Sequence, residues 1–480
     1  MRFLVVPPIR ILRSILLPHL ACSNTLIKSE MESKIRRLRK NQEKEGDGDD
    51  LDGLSYLPDS ILIHILSFLD TKSVVRISVL SKRYKHLWTS MQCLDFKLPE
   101  VYTDTVRFYD GYDISRSTNS SVDSFESYVN HVLKRREHSN LISFTLSLHK
   151  SVNLGFFKDS IEYAARHKVQ HLRIRGYVKQ KPAPLPKLLL SSSSLITLHL
   201  HNATSYCMQL PKSAALPSLK LLCLKKFVFF DENFNGEVFS GCPNLETLVL
   251  SKCCIRPGNK LKVLDVNCLN LKNLEIRNWR SPWRYFNDQM INVNAPKLNF
   301  FKLQGHLARV NFKDGLHFLY DTCIDFCCPT ACSTVNTTER KLRTSEVFLN
   351  MLGNLSNVKT LSLSLKAIEV LSALPDIQLR TPLIFENLRY IRFSAEKKYK
   401  EKTIPIKTVV RLLERASTCV LVVDGSKEPK LSPDCATVKR KHKDATHIAL
   451  PGNVMHFLLA SAPSAEFLTI EAPQVQSDQD

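Results

Sequence analysis

Hydrophobic positions along the chain follow two rhythms. Between residues 52 and 92 they recur every three to four residues: Ile61, Leu62, Ile65, Leu66, Phe68 and Leu69, then Val74, Val75, Ile77, Val79 and Leu80, then Tyr84, Leu87 and Trp88. That spacing predicts three short helices. Pro58 suits the first helical position of the first, and Asp59 favours the positive end of its dipole. Asp70-Thr71 offers an N-cap for the second and Ser81 for the third, which leaves Lys82, Arg83 and Lys85 exposed. About forty residues cannot bury this much apolar surface internally. The surplus predicts a partner.

From about residue 141 the rhythm changes to a leucine, two residues, an apolar residue, one residue and a second apolar residue. Copies are Leu195–Leu200, Leu219–Leu224, Leu245–Leu250, Leu261–Val266, Leu271–Ile276, Leu298–Leu303, Val358–Leu363 and Leu388–Phe393, with weaker ones at Leu141–Leu146 and Val169–Ile174. The central apolar residue falls at 172, 198, 222, 248, 274 and 301, steps of 24 to 27 residues. This is the period of leucine-rich repeats. Leu264 sits between two copies, and between 301 and 361 one unit is degenerate. Each unit supplies one short strand that cannot bury its own face, so stacking predicts a solenoid with a parallel sheet on its concave side. Residues between the core positions then face outward: Arg173, Arg175, His199, His201, Lys225, Glu275, Arg277, Lys302, Gln304 and Arg392. This strip is predominantly basic and suits an acidic or phosphorylated segment of a target.

The helical stretch closely resembles an F-box. The matching residues are Leu57-Pro58-Asp59, Ile61-Leu62, Ile65-Leu66-Ser67-Phe68-Leu69, Thr71-Lys72, Leu80-Ser81-Lys82-Arg83 and Leu87-Trp88. The wording is that of plant F-box proteins, with Tyr84 where their pattern usually has Trp. With the repeats behind it, the chain resembles the plant F-box/leucine-rich-repeat family over roughly residues 52–395. The resemblance implies docking on the SKP-family adaptor of cullin–RING ubiquitin ligases, with Leu57, Pro58, Ile61, Ile65, Leu66 and Trp88 facing the adaptor or supporting that face. The implied role is a non-catalytic substrate receptor, reaching cullin and RING subunits through the adaptor.

Composition narrows the alternatives. Glycine is scarce, 14 of 480 residues, which speaks against glycine-rich phosphate loops. The 14 cysteines are too dilute for a disulfide scaffold and read as reduced thiols. No apolar run is long enough to span a membrane. Net charge is +21, with residues 151–200 and 251–300 strongly basic and the last thirty residues acidic. Such a surface also fits nucleic acid, which is the rival from another class. Gly236 and Gly241 are followed by Cys242-Pro243 and make no phosphate-binding site, and no GxGxxG, GxSxG or HExxH occurs. His167 and His171 read as a surface pair, and Cys323, Cys327, Cys328 and Cys332 lack zinc-site spacing. No cofactor or metal is expected.

The expected organisation is an extension over residues 1–50, the F-box over 51–95, a connecting region over 96–140, repeats over 141–395 and a helix–strand region over 396–480. Pro7, Pro8 and Pro18 interrupt the apolar opening, and Met31 reads as a second possible start. Basic clusters at Lys34–Lys40 and Lys439–Lys443 fit nuclear import, and the expected site of action is nucleus or cytoplasm. A binding protein of the same build acting outside the ligase, or sensing a small molecule, is the alternative.

Overall fold

The computed structural model describes residues 58–78, 83–98, 119–137, 139–176, 183–202, 208–211, 213–229, 237–255, 263–279, 290–305, 308–313, 315–326, 338–394, 402–413, 418–423, 430–432 and 446–471. The chain divides into two compact units, residues 1–203 and 204–480.

The first unit opens with helices α1 (Asp59–Leu66), α2 (Thr71–Ile77) and α3 (Tyr84–Leu87), followed by a 3-10 turn over Trp88–Ser90. Pro58 is the N-cap of α1, one residue earlier than expected; its carbonyl accepts from Ile61 and Leu62. Asp70 caps α2 as expected, accepting from the Ser73 N–H at 2.9 Å. Leu62, Leu66, Leu69, Val74, Ile77, Tyr84, Leu87 and Met91 form the core of this module. Four parallel strands follow: β1 (Cys93–Lys97), β2 (Ser143–Ser147), β3 (His171–Gly176) and β4 (Thr197–Asn202). Helices α4 (Asn119–Arg135) and α5 (Leu154–Arg166) connect the first three. Leu94, Phe144, Leu172 and Leu198 stand in register and are buried, as are Phe96, Leu146, Ile174 and Leu200. The sheet therefore starts at residue 93, well before the first repeat copy visible in the sequence.

The second unit continues the repeat plan in β5 (Leu221–Lys225), β6 (Thr247–Ser251), β7 (Asn273–Arg277), β8 (Phe300–Gly305), β9 (Asp321–Phe326), β10 (Thr360–Ser364) and β11 (Tyr390–Ser394), all parallel. Two later strands complete it: β12 (Lys402–Pro405) and β13 (Phe467–Glu471). β13 pairs parallel with β11, and β12 closes the edge antiparallel to β13. Part of the presumed C-terminal region is thus a further rung of the sheet. The degenerate unit is β9, where Thr322 occupies the inward position held by Phe301 and Leu361 on either side. The Leu261–Val266 copy is not a rung of this sheet. Its strand, Val263–Asn267, pairs with Met290–Asn294, and that with Arg309–Phe312, in a separate small sheet, which explains the broken phase.

The chain leaves β5, β6, β7 and β8 through one repeated backbone device. Lys226, Lys252, Asn278 and Gly305 each have positive φ. At the last the left-handed turn is also crowded: a Cβ on Gly305 would lie 2.6 Å from the Asn278 Cα, so only glycine fits. Helices α6 (Thr338–Gly353) and α7 (Leu365–Ser372) flank β10. Further along, α8 (Ile406–Leu413) and α9 (Gly452–Ser461) accompany an antiparallel sheet of Thr418–Val423, Lys430–Ser432 and Thr446–Pro451.

Candidate functional site

The periodicity of α1 divides its side chains. Leu62 and Leu66, four residues apart, both point into the module core, so Leu66 supports the outer face of α1 from within. Pro58 is exposed and Ile61 is 45 % exposed. Ile65 and Phe68 are half-buried, as is Trp88, which packs against the core from one side. Pro58, Ile61, Ile65 and Trp88 are therefore available, at least in part, for contact; Leu57 lies outside the described residues. The Asp59–Arg83 ion pair, 2.6 Å, ties the start of α1 to the residue before α3.

The module is fastened to the first strands by groups that the sequence reading passed over. Arg136, only 3 % exposed, donates from Nε to the Met91 carbonyl at 2.7 Å. Its Nη1 reaches the Ser139 carbonyl at 3.0 Å and the Tyr163 hydroxyl at 3.4 Å, and its Nη2 the Ser139 Oγ at 2.8 Å. The neighbouring Glu137 carboxylate accepts from Ser90 Oγ at 2.8 Å and Thr89 Oγ1 at 3.1 Å. On the other side, the Asp95 N–H of β1 donates to Thr71 Oγ1 of α2 at 2.8 Å. In the sequence, Lys134-Arg135-Arg136 looks like the solvated basic end of a helix. Nothing there distinguishes the one arginine that turns inward.

The outward face of the first unit gathers four of the predicted target residues. Arg173 stands opposite His199, and Arg175 opposite His201, on adjacent strands. His171, in the same outward row set, meets Thr197 Oγ1 at 3.0 Å through Nδ1. His167 lies elsewhere, at the end of α5, stacked on Tyr163. Burial, followed by the charge of Arg173 and the nearness of His171, lowers the His199 pKa to about 4. His199 is therefore neutral at neutral pH, beside the permanently cationic Arg173 and Arg175. Thr145 and Ser147 of β2 flank the two arginines in register. The result is a patch of guanidinium, imidazole and hydroxyl groups with the donor chemistry to hold carboxylate or phosphate.

The second unit brings Lys225, Arg277, Lys302 and Arg392 to its outward face but sets acids beside the last three. Arg277 is ion-paired to Glu275 on its own strand, with Nε donating at 2.7 Å. Glu275 also stands beside Lys302, and Gln304 donates to Asp325 at 3.3 Å. Burial raises the Asp321 pKa against the opposing pull of Arg392 and a backbone hydrogen bond. The expectation of a basic strip is thus corrected for this unit: Asp321 and Asp325 lie on the degenerate strand β9, which the repeat pattern did not reveal.

Cys253 is buried and its thiol donates to the Leu224 carbonyl at 3.3 Å, so it packs between rungs. Of the cluster near 323–332 only Cys323 lies among the described residues. Among the described residues no group of three His, Cys, Asp or Glu is placed to hold a metal ion, and no helix is long and apolar enough to cross a membrane.

The structure is thus a helical module, with Ile61 left partly in solvent, fastened to a stack of leucine-rich repeats. Comparison with known proteins makes this specific. The F-box domain family matches residues 54–96, and the leucine-rich repeats of the FBD-associated F-box protein At5g56370 match residues 157–314. F-box/LRR-repeat protein 25 of Arabidopsis thaliana is 31% identical over 268 residues, 54% of this chain and 89% of that protein. The putative F-box/LRR-repeat protein At4g15060 of the same plant is 30% identical over 280 residues, 58% of this chain and 60% of that one. The putative F-box/FBD/LRR-repeat protein At5g22670, also from Arabidopsis thaliana, is 30% identical over 257 residues, 53% of this chain and 52% of that one. The chain belongs to the plant F-box/leucine-rich-repeat family, a class of non-catalytic adaptors. Its match spans between half and two thirds of the length of several of these relatives.

Proposed function

We propose that the chain is the substrate-recognition subunit of an SCF-type ubiquitin ligase. Pro58, Ile61, Ile65 and Trp88, together with Leu57, bind the SKP-family adaptor, and through it cullin and RING subunits are recruited. The outward repeat face holds a target protein, and Arg173 and Arg175 contact an acidic or phosphorylated segment of it. No chemistry is required of the chain itself. Two binding surfaces on one chain raise the effective concentration of target lysines near the transferring enzyme. A nuclear or cytoplasmic site of action goes with this reading. The observation that carries it is the apolar edge of α1: Ile61 stays 45 % exposed although the neighbouring Leu62 and Leu66 are buried.

The test is capture of full-length protein by immobilised adaptor. Wild type is expected to be retained. Ile61→Glu is expected to bind at least tenfold more weakly, because a charge is forced into an apolar contact. Its stability should be nearly unchanged, since an exposed position tolerates substitution. Arg173→Glu/Arg175→Glu should be retained like wild type. Equal capture of wild type and Ile61→Glu, or no capture of folded wild type, would refute the reading.

A further inference from the structure

Just before the strands of the second unit the chain forms a rim whose residues are linked rung to rung. The Asn299 N–H donates to the Lys272 carbonyl, Tyr320 to Asn299, Lys359 to Tyr320 and Arg389 to Lys359, all at 2.8–2.9 Å. Neighbouring strands lie about 4.8 Å apart, so Tyr320, Lys359 and Arg389 occupy three adjacent positions on this rim. The earlier part of the rim is partly neutralised internally: Glu246 lies 2.9 Å from the Lys272 ammonium and 3.7 Å from that of Lys220. The later part is built differently. Among the described residues no ion pair involves Lys359 or Arg389. The Lys359 ammonium instead sits 5.1 Å from the centroid of the Tyr320 ring. Tyr320 is 53 % exposed, and Phe318, in the turn leading to it, is 66 % exposed.

Two aromatic rings held in water beside two cations serve no packing need, since burying them would be favourable. We infer that Phe318, Tyr320, Lys359 and Arg389 form a docking surface for an acidic peptide segment that carries an apolar side chain. The rings take the apolar side chain, and the ammonium and guanidinium, one and two rungs further along, take carboxylates to one side of it. The extent of the charge selects peptide over nucleic acid. Glu466 follows Arg389 on the next rung, and Glu246 lies behind Lys272, so the cationic stretch is short and bounded by acids. A polyphosphate backbone requires a longer continuous track. This surface is separate from the Arg173/Arg175 patch; the inference rests on the reading that the repeats bind a target and names the kind of segment taken by the second unit.

Fluorescence anisotropy with full-length protein tests it, using a fluorescein-labelled peptide of glutamates interspersed with phenylalanines and, as the competing probe, labelled oligothymidylate. The peptide is expected to bind. Tyr320→Ala and Lys359→Glu should each weaken it by about tenfold, whereas Lys134→Glu, at an exposed position of α4, should leave it unchanged. All three sites are exposed or half-exposed, so matching circular dichroism is expected throughout. Absence of peptide binding, equal affinity of the variants and wild type, or tighter binding of the oligonucleotide would overturn the inference. Adaptor capture by the same preparations keeps the two readings apart. Capture without peptide binding sinks only the docking surface, and peptide binding without capture sinks only the ligase reading.

Discussion

A single guanidinium, that of Arg136, closes the gap between the helical module and the repeats. It meets the carbonyls of Met91 and Ser139 and the hydroxyl of Tyr163 from a nearly dry position. Replacing it by Met removes the donors and leaves buried acceptors behind, each costing about 1–3 kcal/mol. Arg136→Met is therefore expected to lower stability by about 3 kcal/mol in urea titration. A midpoint unchanged from wild type would show that these contacts contribute little. His199 makes a second prediction at this scale. Its folded pKa, about 4, lies below the ordinary histidine value, so the unfolded chain binds the proton more readily. The stability it contributes is complete above the unfolded pKa and is lost as pH falls from about 6.5 toward 4. His199→Gln should flatten that part of the stability profile, as read by denaturant midpoints across the pH range. The repeat pattern places His199 on the outward face but does not reveal its surroundings, and nothing in the sequence marks Arg136. Arg136 hides in a basic run, and the environment of His199 depends on Arg173 and His171, which lie 26 and 28 positions earlier.

At the scale of the element, legibility follows how strictly a strand keeps the repeat rule. β6 and β7 are plain in the sequence because Leu248 and Leu274 fall in register with leucine-like spacing. β9 is hidden because Thr322 takes the core position. Its hydroxyl oxygen is buried with no hydrogen-bond partner. Thr322→Val removes that desolvated group while keeping the branched shape, and is expected to raise stability by about 1 kcal/mol. A loss of stability in thermal or urea unfolding would mean that the hydroxyl makes a bond of value. Because β9 departs from the repeat pattern, that pattern does not include Asp321 and Asp325, and by it alone the second unit is more basic than the structure shows. The helices behaved better. Asp70 and the spacing of Leu62, Leu66 and Leu69 specify α1 and α2 locally, since an N-cap and a 3.6-residue stripe act within a few residues. What the stripe could not tell was which of its members stays outside. Leu66 is inside and Ile61 outside only because α2 and α3 cover one side of α1.

For the whole molecule, family and broad plan were legible, while the site was legible in part. An F-box followed by leucine-rich repeats can be read from spacing because both are built from short, repeated local rules. The beginning and end of the sheet could not be read that way. β1 lies immediately after the helical module and β13 more than seventy residues after β11, and both are fixed by pairing across long stretches of chain. The fastening through Arg136, Glu137 and Thr71 has a meaning at this scale: it holds the exposed edge of α1 in a set position relative to Arg173 and Arg175 within the same unit. The measurement that tests the central claim most directly is size-exclusion chromatography of the full chain mixed with the SKP-family adaptor, cullin and RING subunits. Wild type is predicted to co-elute as one stoichiometric complex, and Ile61→Glu to elute apart from it. Folded wild type that elutes alone would contradict the account.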